Sequence, residues 1–169
     1  MILLCWDASA LAKRYAPELG SESVDFLFET VPISQHYSTS VSFAEICSIL
    51  VRKYNRGIID RATFGTAKSA MRIELINDSD FQMLELSDDS FYNGVKFIEN
   101  NHLNATDAAI LSTYLDFRDT LAPSGEFKVY LIASDSRLLR VATELDFSCI
   151  NPESVSVAEL AILLSIPTA

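Results

Sequence analysis

Glycine and proline are scarce, five of each among 169 residues, which excludes collagen-like and linker-rich architectures. Cysteine is scarcer still: Cys5, Cys47 and Cys149 are far apart and form no C-x-x-C pair. That removes zinc knuckles and dithiol redox motifs, and leaves isolated thiols suited to a reducing cytoplasm. Long apolar runs are missing too. The opening run from Ile2 to Trp6 has no basic leader and ends at Asp7, too short for a signal-peptide core. The apolar stretch from Leu160 to Ile166 is also too short for a membrane span. The chain therefore reads as soluble and cytoplasmic. His36 and His102 are the only histidines, neither has a serine or cysteine motif for nucleophilic catalysis, and no P-loop or G-x-G-x-x-G occurs. Positive charge is the last deficit. Thirteen Lys and Arg against 23 Asp and Glu give −10, which at face value disfavours a nucleic-acid partner.

What is present is a core. Apolar residues make up 49% and charged residues 21%, the balance of one ordinary globular domain. Apolar runs predict strands over 2–6, 33–38, 81–86, 127–133 and 147–150. Helical spacing predicts helices over 8–16, 21–31, 42–55, 60–77, 88–100, 106–121, 136–145 and 157–164. Strands alternating with helices imply crossovers and a parallel sheet covered on both faces, an α/β fold.

Acidic residues recur just after the strands. Asp7 follows the first strand, Glu45 lies early in the helix after the second, Asp107 opens its own helix, and Asp135 follows the fourth strand. Each has an ordinary explanation, since acids near helix N-termini stabilise the helix dipole by about 0.3–1 kcal/mol. Ser42-x-x-Glu45 has the capping-box pattern, and Asn104-x-x-Asp107 is close to it. Topology adds a second explanation. In a parallel sheet the strand C-termini share one edge, where ligands bind, so Asp7, Glu45 and Asp135 are brought together there. The helix over 88–100 intervenes before Asp107, which topology leaves unplaced. Carboxylates sharing one crevice repel each other unless a cation neutralises them, and oxygen ligands suit Mg²⁺ or Mn²⁺. Metal-assisted phosphodiester hydrolysis is the chemistry such a crevice suits. A haloacid-dehalogenase-like phosphatase usually carries a second Asp two residues after the strand-end one, where this chain has Ser9.

Four motifs carry a family resemblance: Asp7-Ala-Ser-Ala-Leu-Ala-Lys-Arg-Tyr15, Thr39-Ser-Val-Ser-Phe-Ala-Glu45, Asn104-Ala-Thr-Asp-Ala-Ala-Ile-Leu111 and Ser134-Asp-Ser-Arg-Leu-Leu-Arg-Val-Ala142. In this order and with these intervals the chain resembles PIN-domain ribonucleases, specifically the VapC-like toxins of toxin–antitoxin pairs. The resemblance spans about residues 1–153 and leaves 154–169 as a helical extension on the same domain. It implies a three-layer α/β/α sandwich around about five parallel strands, and a Mg²⁺- or Mn²⁺-dependent endoribonuclease. It puts the metal ligands at Asp7, Glu45, Asp107 and Asp135, and it implies a homodimer and a cognate antitoxin. The alternative is a PIN-fold module that binds RNA or protein without cutting. A DNA nuclease or phosphatase would use similar carboxylate–metal chemistry. The chain departs from the family at three places. Ala133 stands where a Ser or Thr is frequent, with Ser134 as the neighbouring substitute. Arg137 stands where some relatives carry an acid, and Asp146 where a glycine is frequent.

The positive charge that exists is concentrated. Residues 52–72 carry Arg52, Lys53, Arg56, Arg61, Lys68 and Arg72 for a net +5, against −15 in the remainder. The plain reading is a solvated helical face; the functional one is a surface for RNA or for an acidic partner segment. Lys13, Arg52, Lys53 and Arg56 are the candidate substrate contacts, with Arg14 behind them.

Overall fold

A computed structural model describes residues 1–165. Ile166 and the tail of the C-terminal extension, 166–169, lie outside the described residues. The strands are β1 (Ile2–Trp6), β2 (His36–Thr39), β3 (Gln82–Leu84), β4 (Lys128–Ile132) and β5 (Ser148–Ile150). The helices are α1 (Ala8–Leu11), α2 (Ser21–Thr30), α3 (Ser40–Asn55), α4 (Arg61–Arg72), α5 (Asp88–Asn101), α6 (Ala105–Leu121), α7 (Ser136–Glu144) and α8 (Val157–Leu164).

All five strands are parallel, in the order β3-β2-β1-β4-β5. The central strand β1 pairs along its whole length with β4, from Ile2 opposite Lys128 to Trp6 opposite Ile132. Alternation along these two strands divides the apolar residues into two cores. Leu4, Trp6, Tyr130 and Ile132 pack with Leu11, Val24, Leu27, Ile46, Leu50 and Met71 on one face. Leu3, Cys5, Val129 and Leu131 pack with Phe97, Ile110, Leu111, Leu138 and Val141 on the other. The result is the three-layer α/β/α sandwich that the sequence predicts. Leu160 and Leu164 of α8 belong to the first core, so the extension's helix is part of the packed body. No described helix is long and apolar enough to cross a membrane.

Element boundaries differ from the sequence expectation where local hydrogen bonding decides. The first helix is one α-turn followed by a 3-10 turn, Ala12–Arg14. After Pro32 the chain makes another 3-10 turn, Ile33–Gln35, so β2 begins only at His36. The helix expected over 60–77 passes into a π-helical turn, Ile73–Asn77. The expected Ser42–Glu45 capping box does not form. Thr39, still extended at the end of β2, accepts the Ser42 N–H at 3.1 Å and starts α3 at Ser40.

Two contacts fix the elements around the sheet's C-terminal edge. The Trp6 carbonyl ends β1 and accepts both the Tyr114 hydroxyl, at 2.7 Å, and the Ser38 hydroxyl, at 3.1 Å. Tyr114 lies two turns along α6 from Asp107, so this bond draws the start of α6 towards the end of β1. Close approach of α5 to α6 needs Gly94, where a Cβ would sit 2.9 Å from the Ala108 carbonyl. Between α7 and β5, Asp146 has the left-handed φ of 56°. This is the position where the family resemblance expects glycine.

His36 is fully buried among Trp6, Phe28 and Phe81. Its Nδ1 accepts the Trp6 indole N–H and its Nε2 lies 3.1 Å from the Val31 carbonyl, so the neutral ring with the proton on Nε2 satisfies both. Burial pushes its pKa down to about 4. A proton taken up on unfolding therefore favours the unfolded chain. The stability contributed by neutral His36 is complete above about pH 6.5 and is lost as pH falls towards about 4. Trp6 is the only tryptophan, so its fluorescence follows unfolding directly. Denaturant titrations at pH 7 and pH 5 should show His36→Phe less stable than the parent at pH 7, by about 1–3 kcal/mol for the orphaned indole N–H. The gap should narrow at pH 5. A constant gap would show that His36 does not titrate with folding.

Candidate active site

The sheet's C-terminal edge carries a cavity of about 360 Å³. Its lining includes Asp7, Ser9, Glu45, Arg52, Asn104, Asp107 and Asp135. All four acids singled out in the sequence thus meet in one place, including Asp107, which strand topology alone left open.

Each acid is presented differently. Asp7 caps α1 and is 4% exposed; its carboxylate accepts the Ser9 N–H at 2.8 Å and the Ser9 hydroxyl. Asp135 caps α7 by accepting the Arg137 and Leu138 N–H groups at 2.8 and 3.1 Å. Asp107 lies in the first turn of α6, and Asn104 locks it from both sides. The Asn104 amide donates to the carboxylate at 2.8 Å, and its carbonyl accepts the Asp107 N–H at 2.8 Å. Glu45 has no capping duty, because α3 starts too early and has no acid in its first turn. The capping explanation thus holds for Asp7 and Asp135, which do both things, and fails for Glu45.

The carboxylates feel each other. Burial, with added repulsion from Asp7 and Asp107, pushes Glu45 up to about 7. Burial, with Asp7 and Asp135 nearby, pushes Asp107 up to about 6. Asp7 is raised chiefly by burial, and its two Ser9 hydrogen bonds work against that rise. Several groups with reluctant charges in one cavity form an incomplete electrostatic unit that a cation would complete.

Among the described residues, no three carboxylates close to the spacing of a cage made by protein alone. The donor set is nonetheless all oxygen, which suits Mg²⁺ or Mn²⁺ and not zinc. Mg²⁺ binds through one or two carboxylates and keeps several waters, so a spread arrangement fits it.

Ser9 is a site residue that the sequence reading passed over. Besides its two bonds to Asp7, its Oγ accepts the N–H groups of Ser134 and Asp135 at 2.8 and 3.2 Å. One hydroxyl therefore staples the end of β1 to the turn after β4. The available signal was its place two residues after the first Asp. Ser134, the expected substitute hydroxyl, contributes its backbone to this staple. Its own Oγ is buried with no partner among the described residues.

The candidate substrate contacts separate into two groups. Lys13 is 3% exposed and its ammonium pairs with Glu18 at 3.2 Å and Glu153 at 2.5 Å, away from the cavity lining. Lys53 bonds Glu18 at 2.7 Å and the Ala16 carbonyl at 3.1 Å. Arg14 pairs with Asp25 and Glu74. These three cations are structural, which corrects the expectation of phosphate contact for Lys13, Lys53 and Arg14. Arg56 is exposed at the end of α3 and does not line the cavity. Arg52 does line it.

The sequence matches no known family profile and no curated protein. Solved structures do match. PAE2754 from Pyrobaculum aerophilum is 16% identical with a TM-score of 0.56, covering 98% of this chain and 97% of that one. A toxin–antitoxin complex from Klebsiella pneumoniae is 15% identical with a TM-score of 0.56, covering 90% of this chain and 99% of that one. FitAcB from Neisseria gonorrhoeae is 12% identical with a TM-score of 0.58, covering 90% of this chain and all of its counterpart, 100%. The chain has the three-layer PIN-like fold. The resemblance to PIN-domain toxins read from the four motifs thus extends to the architecture of nearly the whole chain.

The raised pKa of Glu45 has a sign that can be tested. Without divalent cation, its contribution to stability is complete below about pH 4.5 and is lost as pH rises through about 7. In EDTA, Glu45→Gln should therefore stabilise the protein more at pH 8 than at pH 5. Added Mg²⁺ or Mn²⁺ should raise the Tm of the parent and raise that of the variant less. Thermal melts that respond equally to the cation in both proteins would remove Glu45 from the candidate ligands.

Proposed function

We propose that the chain is a metal-dependent endoribonuclease and the toxin of a toxin–antitoxin pair. The observation that carries this reading is the meeting of Asp7, Glu45, Asp107 and Asp135 in one cavity at the strand ends of a PIN-like fold. The motif resemblance supports it, and so does the likeness of the fold to a toxin–antitoxin complex.

Mg²⁺ or Mn²⁺, when bound, supplies a more acidic water and a counter-charge for a displaced phosphate ester. The chain's own residues set the conditions for this. Ser9 occupies one oxygen of Asp7 and leaves the other for the cavity. Asn104 holds the Asp107 carboxylate in place. Glu45, free of a capping bond and raised to about 7 by burial and by Asp7 and Asp107, is a carboxylate whose charge a bound cation would stabilise. Arg52 offers a cation for substrate phosphate on the same cavity wall.

The same reading includes a cognate antitoxin and a homodimer in the cytoplasm. Phe91, Tyr92, Val95 and Ile98 support the dimer, since they leave an apolar stripe exposed along α5. Asp7→Asn tests the nuclease reading. It removes one charge while keeping the size of the side chain, so the variant should fold, and in EDTA it should melt at or above the parent because a buried, repelled carboxylate is gone. Cleavage of a structured RNA should fall at least about a hundredfold, the scale expected for losing a group that acts in the transition state. EDTA should silence the parent, and Mn²⁺ should restore it. Cleavage at the parent's rate by a clean Asp7→Asn preparation would overturn the reading. RNA retention without cleavage in Mg²⁺ or Mn²⁺ would favour the non-cleaving module instead.

A further inference from the structure

A second arginine stands beside the cavity, next to Asp135 of its lining. Arg137 follows Asp135 into α7, is 60% exposed, and reaches Asp135 only at 3.8 Å. Such a contact between an exposed arginine and a half-exposed carboxylate contributes little to stability. The position is also unfavourable for a cation, because the first turn of a helix carries the positive end of its dipole. The inward face of α7 is made by Leu138, Val141 and Ala142, so Arg137 has no packing duty in the core. Helix stability and core packing both leave it unexplained.

The site supplies an explanation. In the sheet β2 and β4 flank β1, so the helices that follow them, α3 and α7, start on either side of Asp7. Arg137 stands in the first turn of α7, and Arg52, about three turns along α3, reaches the cavity wall. Both are felt by the acids: Arg52 partly offsets the rise of Glu45, and Arg137 that of Asp107. Lys13, Lys53 and Arg14, the other basic residues near the first motif, are already taken up by Glu18, Glu153, Asp25 and Glu74. Among the described residues Arg52 enters no ion pair.

We propose that Arg137 and Arg52 form a two-sided guanidinium rim that holds the RNA phosphodiester over the acidic cavity. The proposal rests on the nuclease reading for its substrate. A planar guanidinium offers two parallel N–H donors to one phosphate, a geometry that an ammonium does not reproduce. It also counters the repulsion that four carboxylates would exert on an incoming polyanion.

The test is equilibrium binding of a fluorescent single-stranded RNA oligonucleotide in Ca²⁺, between about 50 and about 200 mM salt. Arg137→Gln should weaken binding about tenfold and make the slope of log K against log salt shallower by about one. Arg137→Lys should recover the slope and only part of the affinity. Arg137→Asp should bind most weakly while its Tm stays level or rises, since an acid suits the helix start. A merely structural arginine would lower Tm instead. Unchanged affinity and slope in Arg137→Gln, or no RNA binding by the parent at any salt, would overturn the proposal. If Asp7→Asn abolishes cleavage while Arg137→Gln behaves as the parent, the nuclease reading stands and the rim does not. If the parent binds RNA through Arg137 but never cuts it, the rim stands and the nuclease reading does not.

Discussion

Four carboxylates that repel one another share a single edge of the sheet, and much of the surrounding structure holds them there. Three of the four, Asp7, Asp107 and Asp135, are held by polar bonds close by. The Trp6 carbonyl anchors Tyr114 and Ser38, which fixes α6 and β2 against the end of β1. The Ser9 hydroxyl holds Asp7 and the Ser134–Asp135 turn together. The Asn104 side chain clasps Asp107 from two directions. These bonds are short-ranged and geometrically exacting, and they act against the mutual repulsion of the acids. The two apolar cores above and below the sheet supply the rigid frame in which such bonds can be kept.

The sequence made some of this legible and hid the rest for identifiable reasons. Asp7 and Asp135 were readable because a strand end followed by a helix start fixes their place in any parallel sheet. Glu45 was placed by topology, and it is the competing capping explanation that fails. Its supposed capping partner, Ser42, lies inside the helix, because Thr39 competes successfully for the Ser42 N–H. Asp107 needed tertiary information. Its place depends on Gly94 admitting the backbone of α6 and on a hydrogen bond between residues 108 positions apart. Lys13 was misjudged for the same reason, since its partner Glu153 lies 140 residues away and nothing local announces it.

The net charge of −10 also changes meaning. Part of the acidity neutralises cations that hold the fold: Glu18 serves both Lys13 and Lys53, and Arg14 draws on Asp25 and Glu74. Another part is the cavity itself. Bulk charge averages over these separate duties, so it predicts non-specific attraction to polyanions and says little about one crevice. The basic segment of 52–72 is likewise divided, with Lys53 turned inward and Arg52 facing the site.

The turn before β5 shows a different economy. Asp146 holds a left-handed backbone that costs a residue with a Cβ more than it costs glycine, although Asp tolerates it better than most. A glycine there would relax the folded turn and widen the range of the unfolded chain, so the two effects oppose each other. With Asp146 the turn gives up backbone comfort for a stiffer denatured state. This chain therefore has a neutral path open to it at that position, along which residues can be exchanged without disturbing the acidic edge of the sheet.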